Sequence, residues 1–87
     1  MKRWSIIFKT LGNINRLKII KLLSVGVHLN VSDIAGELKI SQKATSKHLI
    51  ILYNLDVLHN TGKDGHVFYF LNLDIPGDFA KIIKLLK

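Results

Sequence analysis

The feature that most constrains this chain is a change of period at Asp56. Before it, apolar residues recur three and four positions apart; after it come two short β-rich runs, "VLHNT" and "HVFYFLN", separated by Gly62-Lys63-Asp64-Gly65. A helical block followed by one hairpin leaves few architectures open. The chain has 87 residues, 48% of them hydrophobic, so it is expected to form one domain over residues 1–87, near the small end of what buries a core unaided.

The helical block divides at its own punctuation. Trp4, Ile7, Phe8 and Leu11 recur at helical spacing over residues 2–11, and Gly12-Asn13 closes that helix. Asn13 is placed to cap a second helix, with Leu17, Ile20, Leu23 and Ser24 on one side, Arg16, Lys18 and Lys21 polar, and Gly26 at its end. "VHLNV" at 27–31 is too short for a helix and reads as one short strand. Ser32 or Asn30 caps a third helix built on Ile34, Ala35 and Leu38. Residues 39 and 40 make a turn, and Ser41 caps a fourth helix reaching about Asn54, with Leu49, Leu52 and Tyr53 facing inward.

In the hairpin, pairing Thr61 with Val67 puts Leu58, Phe68 and Phe70 on a common face toward the core. Pro76 opens a last amphipathic helix over 76–87. The order is α-α-β-α-α-β-β-α, mainly α with a small β-hairpin. Helices three and four form a helix-turn-helix and the hairpin its wing, a winged helix-turn-helix fold.

Charge says what such a fold would face. Thirteen Lys and Arg against six Asp and Glu give a net charge of +7, which favours a polyanionic partner. No acid precedes Asp33, and none lies between Glu37 and Asp56. At 100° per residue, Gln42, Lys43, Ser46 and Lys47 share one surface of the fourth helix, while Ala44, Thr45, Leu49 and Leu52 turn away from it. A short, cationic, acid-free face suits the DNA major groove: Lys donates to guanine or phosphate, Gln pairs with adenine, and Ser serves either. His48 belongs at the base of this helix, near phosphate or satisfied internally. Lys63 and His66 would clamp flanking DNA from the wing, and Arg16 and Lys18 are further phosphate candidates. A solvated helix face is the plainer alternative for the same charges.

Three stretches in this order resemble the ArsR-type winged-helix transcriptional regulators over about residues 6–72: "FKTLGNINRLKIIKLL" at 8–23, "VSDIAGELKISQKATSKHLIIL" at 31–52 and "GHVFYFLN" at 65–72. The resemblance implies a homodimer joined through the terminal helices, with two recognition helices in successive major grooves. The terminal helices here are 2–11 and 76–87, and the corresponding interface residues are Trp4, Ile7, Phe8, Phe79, Ile82, Ile83 and Leu86. The last four also form an apolar stripe that a domain of this size is not expected to bury alone, with packing onto its own core as the plainer alternative for some of these residues.

The departures from the family are specific. Metal-sensing members often carry Cys-Val-Cys at the third helix, where this chain has Asn30-Val31-Ser32 and no cysteine anywhere. Other members place histidine and carboxylate ligands on the last helix, but residues 76–87 hold Asp78 as their only acid and no histidine. Lys43-Ala44-Thr45 stands where a proline or similar residue, threonine and valine are common, so the DNA sequence recognised does not carry over.

Other chemistry finds little footing. His28, His48, His59 and His66 include no i, i+4 ligand pair, and under the pairing above His59 and His66 point to opposite faces, so no metal is expected. There is no nucleophile motif, phosphate loop or spaced acid pair, so neither an enzyme nor a cofactor is expected. No apolar run approaches a bilayer span and the N-terminus makes no convincing signal peptide, which leaves a soluble, cytoplasmic protein. "FAKIIKLLK" could lie on anionic lipid, but a dimerisation helix explains the same pattern.

The expectation is therefore a homodimeric DNA-binding transcriptional regulator, more a repressor than an activator, binding double-stranded DNA without a membrane role. The competing reading is a winged-helix module for protein interaction or for sequence-nonspecific, architectural DNA binding.

Overall fold

Three short polar side chains set where three helices begin. Asn13 Oδ1 accepts from the backbone N–H groups of Asn15 (2.9 Å) and Arg16 (3.3 Å), Asn30 Oδ1 from that of Asp33 (2.8 Å), and Ser41 Oγ from that of Ala44 (3.0 Å). Each satisfies donors that a helix start leaves without an internal partner. Of the two caps open for the third helix, Asn30 holds the position, and Ser32 lies inside the helix.

In the computed structural model, residues 2–72, 74 and 77 are described, with the backbone alone at positions 2–4, 6 and 7. The elements are α1 (Lys2–Leu11), α2 (Ile14–Leu23), β1 (Leu29–Asn30), α3 (Val31–Leu38), α4 (Gln42–Asn54), β2 (Leu58–Lys63) and β3 (His66–Leu71). The expected last helix with Phe79, Ile82, Ile83 and Leu86, and the side chains of Trp4 and Ile7, lie outside the described residues.

Ile19, Ile20 and Leu23 of α2, Ile34 of α3 and Leu49 and Leu52 of α4 are fully buried together with Val57 and Leu58, and Leu11 closes the same cluster. Burying such side chains is worth about 1.5–3 kcal/mol each, which locks α2, α3 and α4 into one unit. Tyr53, expected to face this core, is 42% exposed, because the buried line on α4 runs through Thr45, Leu49 and Leu52, and Tyr53 lies about 70° round the helix from the middle of that line. The turn from α3 to α4 is made by Lys39 in the left-handed region (φ 58°), with the Ile40 N–H donating to Ala35 O at 3.2 Å.

The sheet is antiparallel in the order β1-β3-β2, so β3 is its centre and the short β1 and the longer β2 are its two edges. The hairpin register differs by one residue from the sequence expectation: Thr61 pairs with Phe68, Gly62 with Val67 and Lys63 with His66. The cause is the turn. Asp64 (φ 52°) and Gly65 (φ 79°) both take positive φ, as a two-residue primed turn requires, so Lys63 closes the hairpin against His66, whereas pairing Thr61 with Val67 would leave three residues in the turn. A one-residue slip exchanges the faces of β3. Leu58 shares its face with Tyr69 and Leu71, which pack on the core, whereas Phe68 and Phe70 lie on the other face.

That second face carries an aromatic row: the His28 and Phe70 rings stack at 4.3 Å between centroids, and His59 tilts toward Phe70 at 5.9 Å. The base of the hairpin is fastened by buried Asn72, whose backbone N–H donates to Val57 O (3.0 Å) and whose Nδ2 donates to Asp56 O (2.9 Å).

Candidate nucleic-acid interface

Helix α4 has one closed side and one open side. On the closed side Thr45, Leu49 and Leu52 are wholly buried, and Thr45 Oγ1 donates to Ser41 O at 2.9 Å, bonding the helix start to itself. Thr45 thus supports the helix from within, on the side turned away from the open face. On the open side Gln42, Lys43 and Lys47 are exposed and Ser46 is half-buried, with no acid anywhere in Gln42–Asn54.

Gln42 is not a free arm. Its Nε2 donates to Ser32 Oγ at 3.3 Å, tying the first residue of α4 to α3. It also lines a cleft of about 560 Å³ between the start of α3 and the wing turn, together with Gly65 and His66. The helix-turn-helix and the wing tip therefore border one cavity. At the tip the corrected register sets Lys63 directly opposite His66, on the same sheet face, with Asp64 in the turn between them.

Arg16 takes a different position from the phosphate contact expected of it. Its Nε donates to Thr10 O (2.8 Å) and one terminal nitrogen to Lys9 O (3.3 Å), binding carbonyls of the last turn of α1, where Thr10 O also accepts from the Asn13 N–H (3.4 Å). The other terminal nitrogen stands 3.4 Å from His48 Nδ1. A guanidinium has no acceptor, so this contact requires Nδ1 to accept and the imidazole to be neutral with its proton on Nε2. Desolvation by burial, and then the nearby Arg16 charge, hold the His48 pKa below its ordinary 6.5, consistent with a neutral ring. Arg16 thus links the end of α1 to the middle of α4, a positioning role that no local sequence signal announces.

Lys18 is exposed on α2 and borders a groove with Lys21 and Glu37; none of that groove's lining residues comes from α4 or the hairpin. His59 and His66 share one face rather than opposing ones, but the strands place them about four residues apart along the hairpin, too far to share a ligand. No group of three or more metal-ligating side chains occurs among the described residues. Nor is any helix among them long and apolar enough to cross a membrane.

Comparison with known proteins agrees with this geometry. Residues 13–59 match the sequence model described as bacterial regulatory protein, arsR family. The transcriptional repressor SdpR of Bacillus subtilis is 33% identical over 72 residues, covering 83% of this chain and 79% of SdpR. The cadmium resistance transcriptional regulatory protein CadC of Listeria innocua is 39% identical over 79 residues, covering 91% of this chain but only 59% of CadC. Among solved structures, HlyU of Vibrio cholerae superposes with a TM-score of 0.79 at 27% identity, over 98% of this chain and 88% of HlyU. The chain belongs to the arsR family of bacterial regulatory proteins and has the winged helix-turn-helix DNA-binding fold.

Proposed function

We propose that this regulator is a homodimeric repressor that places α4 in the DNA major groove and the β2–β3 hairpin on the flanking duplex. The observation that carries the proposal is the acid-free open side of α4, with Lys43 and Lys47 exposed while the opposite side is wholly buried. A helix fixed from behind presents its donors without further ordering, which suits discrimination among base pairs. Gln42, Lys43, Ser46 and Lys47 are the groove-facing set, Lys63 and His66 the wing contacts, and Thr45, His48 and Arg16 the supports. Repression, in which the bound dimer occludes a promoter, follows the sense of the SdpR relative. The dimer draws support from Phe8, 64% exposed on α1, and from the apolar spacing of residues 76–87 in the sequence.

The test is binding of the purified chain to duplex DNA from upstream of its own gene and to a scrambled duplex, across a salt series. Each phosphate neutralised contributes about −0.9 to the slope of log affinity against log salt. A preference for the native duplex of about a thousandfold or more is expected of a specific regulator. Weak, equal and steeply salt-dependent binding to both duplexes would favour an architectural role, and no binding a protein partner. The dimer is tested separately: Ile83→Glu should convert it to a monomer in sedimentation, and an unchanged profile would remove the terminal-helix interface.

A further inference from the structure

On the open side of α4 the line Lys43, Ser46, Lys47 continues to a residue of different chemistry. Ile50 follows Lys43 by seven positions and Lys47 by three, and it is 53% exposed. These four positions have the i, i+3, i+4, i+7 spacing with which recognition helices present base-reading side chains along one groove. At 1.5 Å of rise per residue, Ile50 lies about 10 Å beyond Lys43, roughly three base-pair steps.

Exposed apolar residues are common: Ile14, Val25 and Val27 lie outside α4, while Ile51 (38%) and Tyr53 (42%) are exposed on its flanks, about 100° and 60° round the helix from Ile50. Ile50 differs in its surroundings. It is aligned with two lysines on the side of the helix that the core leaves open, where a solvated face would favour a polar side chain with better helix propensity than a β-branched one. The major groove presents one apolar group, the C5 methyl of thymine, and apolar side chains are what contact it.

We infer that Ile50 is a specificity-determining residue, packing on the methyl group of a thymine about three base pairs from the base addressed by Lys43. The inference rests on the DNA-binding role proposed above and adds a base identity to it. Lys43 and Lys47 discriminate through donors, favouring guanine or phosphate, while Ile50 selects a thymine they cannot recognise.

The experiment is selection of preferred sites from a randomised duplex library by the full-length wild type, Ile50→Ala and Ile50→Asn, followed by affinity measurement on the selected site with thymines replaced one at a time by deoxyuridine. For the wild type, one deoxyuridine per half-site should weaken binding about fourfold, the worth of one buried methyl. Ile50→Ala should bind the thymine and deoxyuridine duplexes equally and lose the preference at that position alone. Ile50→Asn should shift that position toward adenine, with which Asn pairs. Both substitutions replace an exposed side chain, and circular dichroism checks that the fold is kept.

Identical selected sites for the wild type and Ile50→Ala, or an equal deoxyuridine penalty in both, would overturn the role of Ile50 and leave DNA recognition by Lys43 and Lys47 standing. Failure of the wild type to enrich any site would overturn both together.

Discussion

Helix α4 and the hairpin carry the two halves of the cationic surface, yet they are held in opposite ways. The helix has a side chain cap, an internal threonine bond and a buried line that runs almost its whole length. The hairpin is buried at Leu58 and fastened at Asn72, but from His59 to Lys63 every residue of β2 is exposed. A fixed element can distinguish one base from another because misplacement costs it contacts; a projecting one adjusts to any duplex. The helix is thus suited to specificity and the wing to affinity.

The sharpest way to break this comparison is through stability. Leu49→Ala should cost about 2–5 kcal/mol, as a buried leucine does when truncated. Thr61→Ala, on the exposed part of β2, should fall within about 0.5 kcal/mol of the wild type. Urea denaturation measures both, and similar losses would mean that the wing is as tightly integrated as the helix.

The same contrast explains what the sequence disclosed. Asn13 and Ser41 are legible as caps because a cap acts over two or three residues, and Leu49 and Leu52 because helical period alone assigns them. The faces of Phe68 and Phe70 were not legible. They depend on whether the reversal around Asp64-Gly65 spends an odd or an even number of residues, and a one-residue slip inverts the strand. Placing Tyr53 inward extended a correct period too far round the helix. The link from Arg16 to His48 spans 32 residues, and the carbonyls Arg16 satisfies belong to a different helix, so a surface lysine or arginine and a clamp look alike until the fold brings them together. Ile50 continues the Lys43–Lys47 line at helical spacing, but only the fold shows that it is exposed rather than part of the core.

Binding should separate the two regions next. Lys47→Ala is expected to lose about 1–3 kcal/mol on the preferred site and far less on scrambled DNA, relaxing specificity. Lys63→Ala should weaken both duplexes alike and make the salt slope shallower by about 0.9. If Lys63→Ala changed the preferred sequence instead, the division between helix and wing would fail.

A gentler perturbation acts through the support behind α4. The His48 pKa is lowered in the folded chain, so between that value and the ordinary 6.5 the unfolded state binds more protons than the folded one. The stability linked to neutral His48 is complete above about pH 6.5 and declines as pH falls below it toward the folded value. His48→Asn, whose Oδ1 replaces Nδ1 as acceptor for Arg16, should flatten that part of the profile. Denaturation midpoints of the two proteins between pH 5 and 8 give the difference, and parallel curves would exclude His48 as its source.

The smallest effect belongs to the wing tip. Asp64 holds positive φ in the turn and places an acid between Lys63 and His66, opposing the charge the wing offers to phosphate. Asn tolerates the same backbone region, so Asp64→Asn should leave the turn and its register intact while removing that charge. Exposed charges are worth about 0.2–1 kcal/mol and are screened by salt, so affinity should rise by less than about fivefold, equally on preferred and scrambled DNA, with the gain fading at high ionic strength. A gain confined to one sequence would mean that the wing takes part in base recognition, because a freely projecting charge has no means of telling one base pair from another.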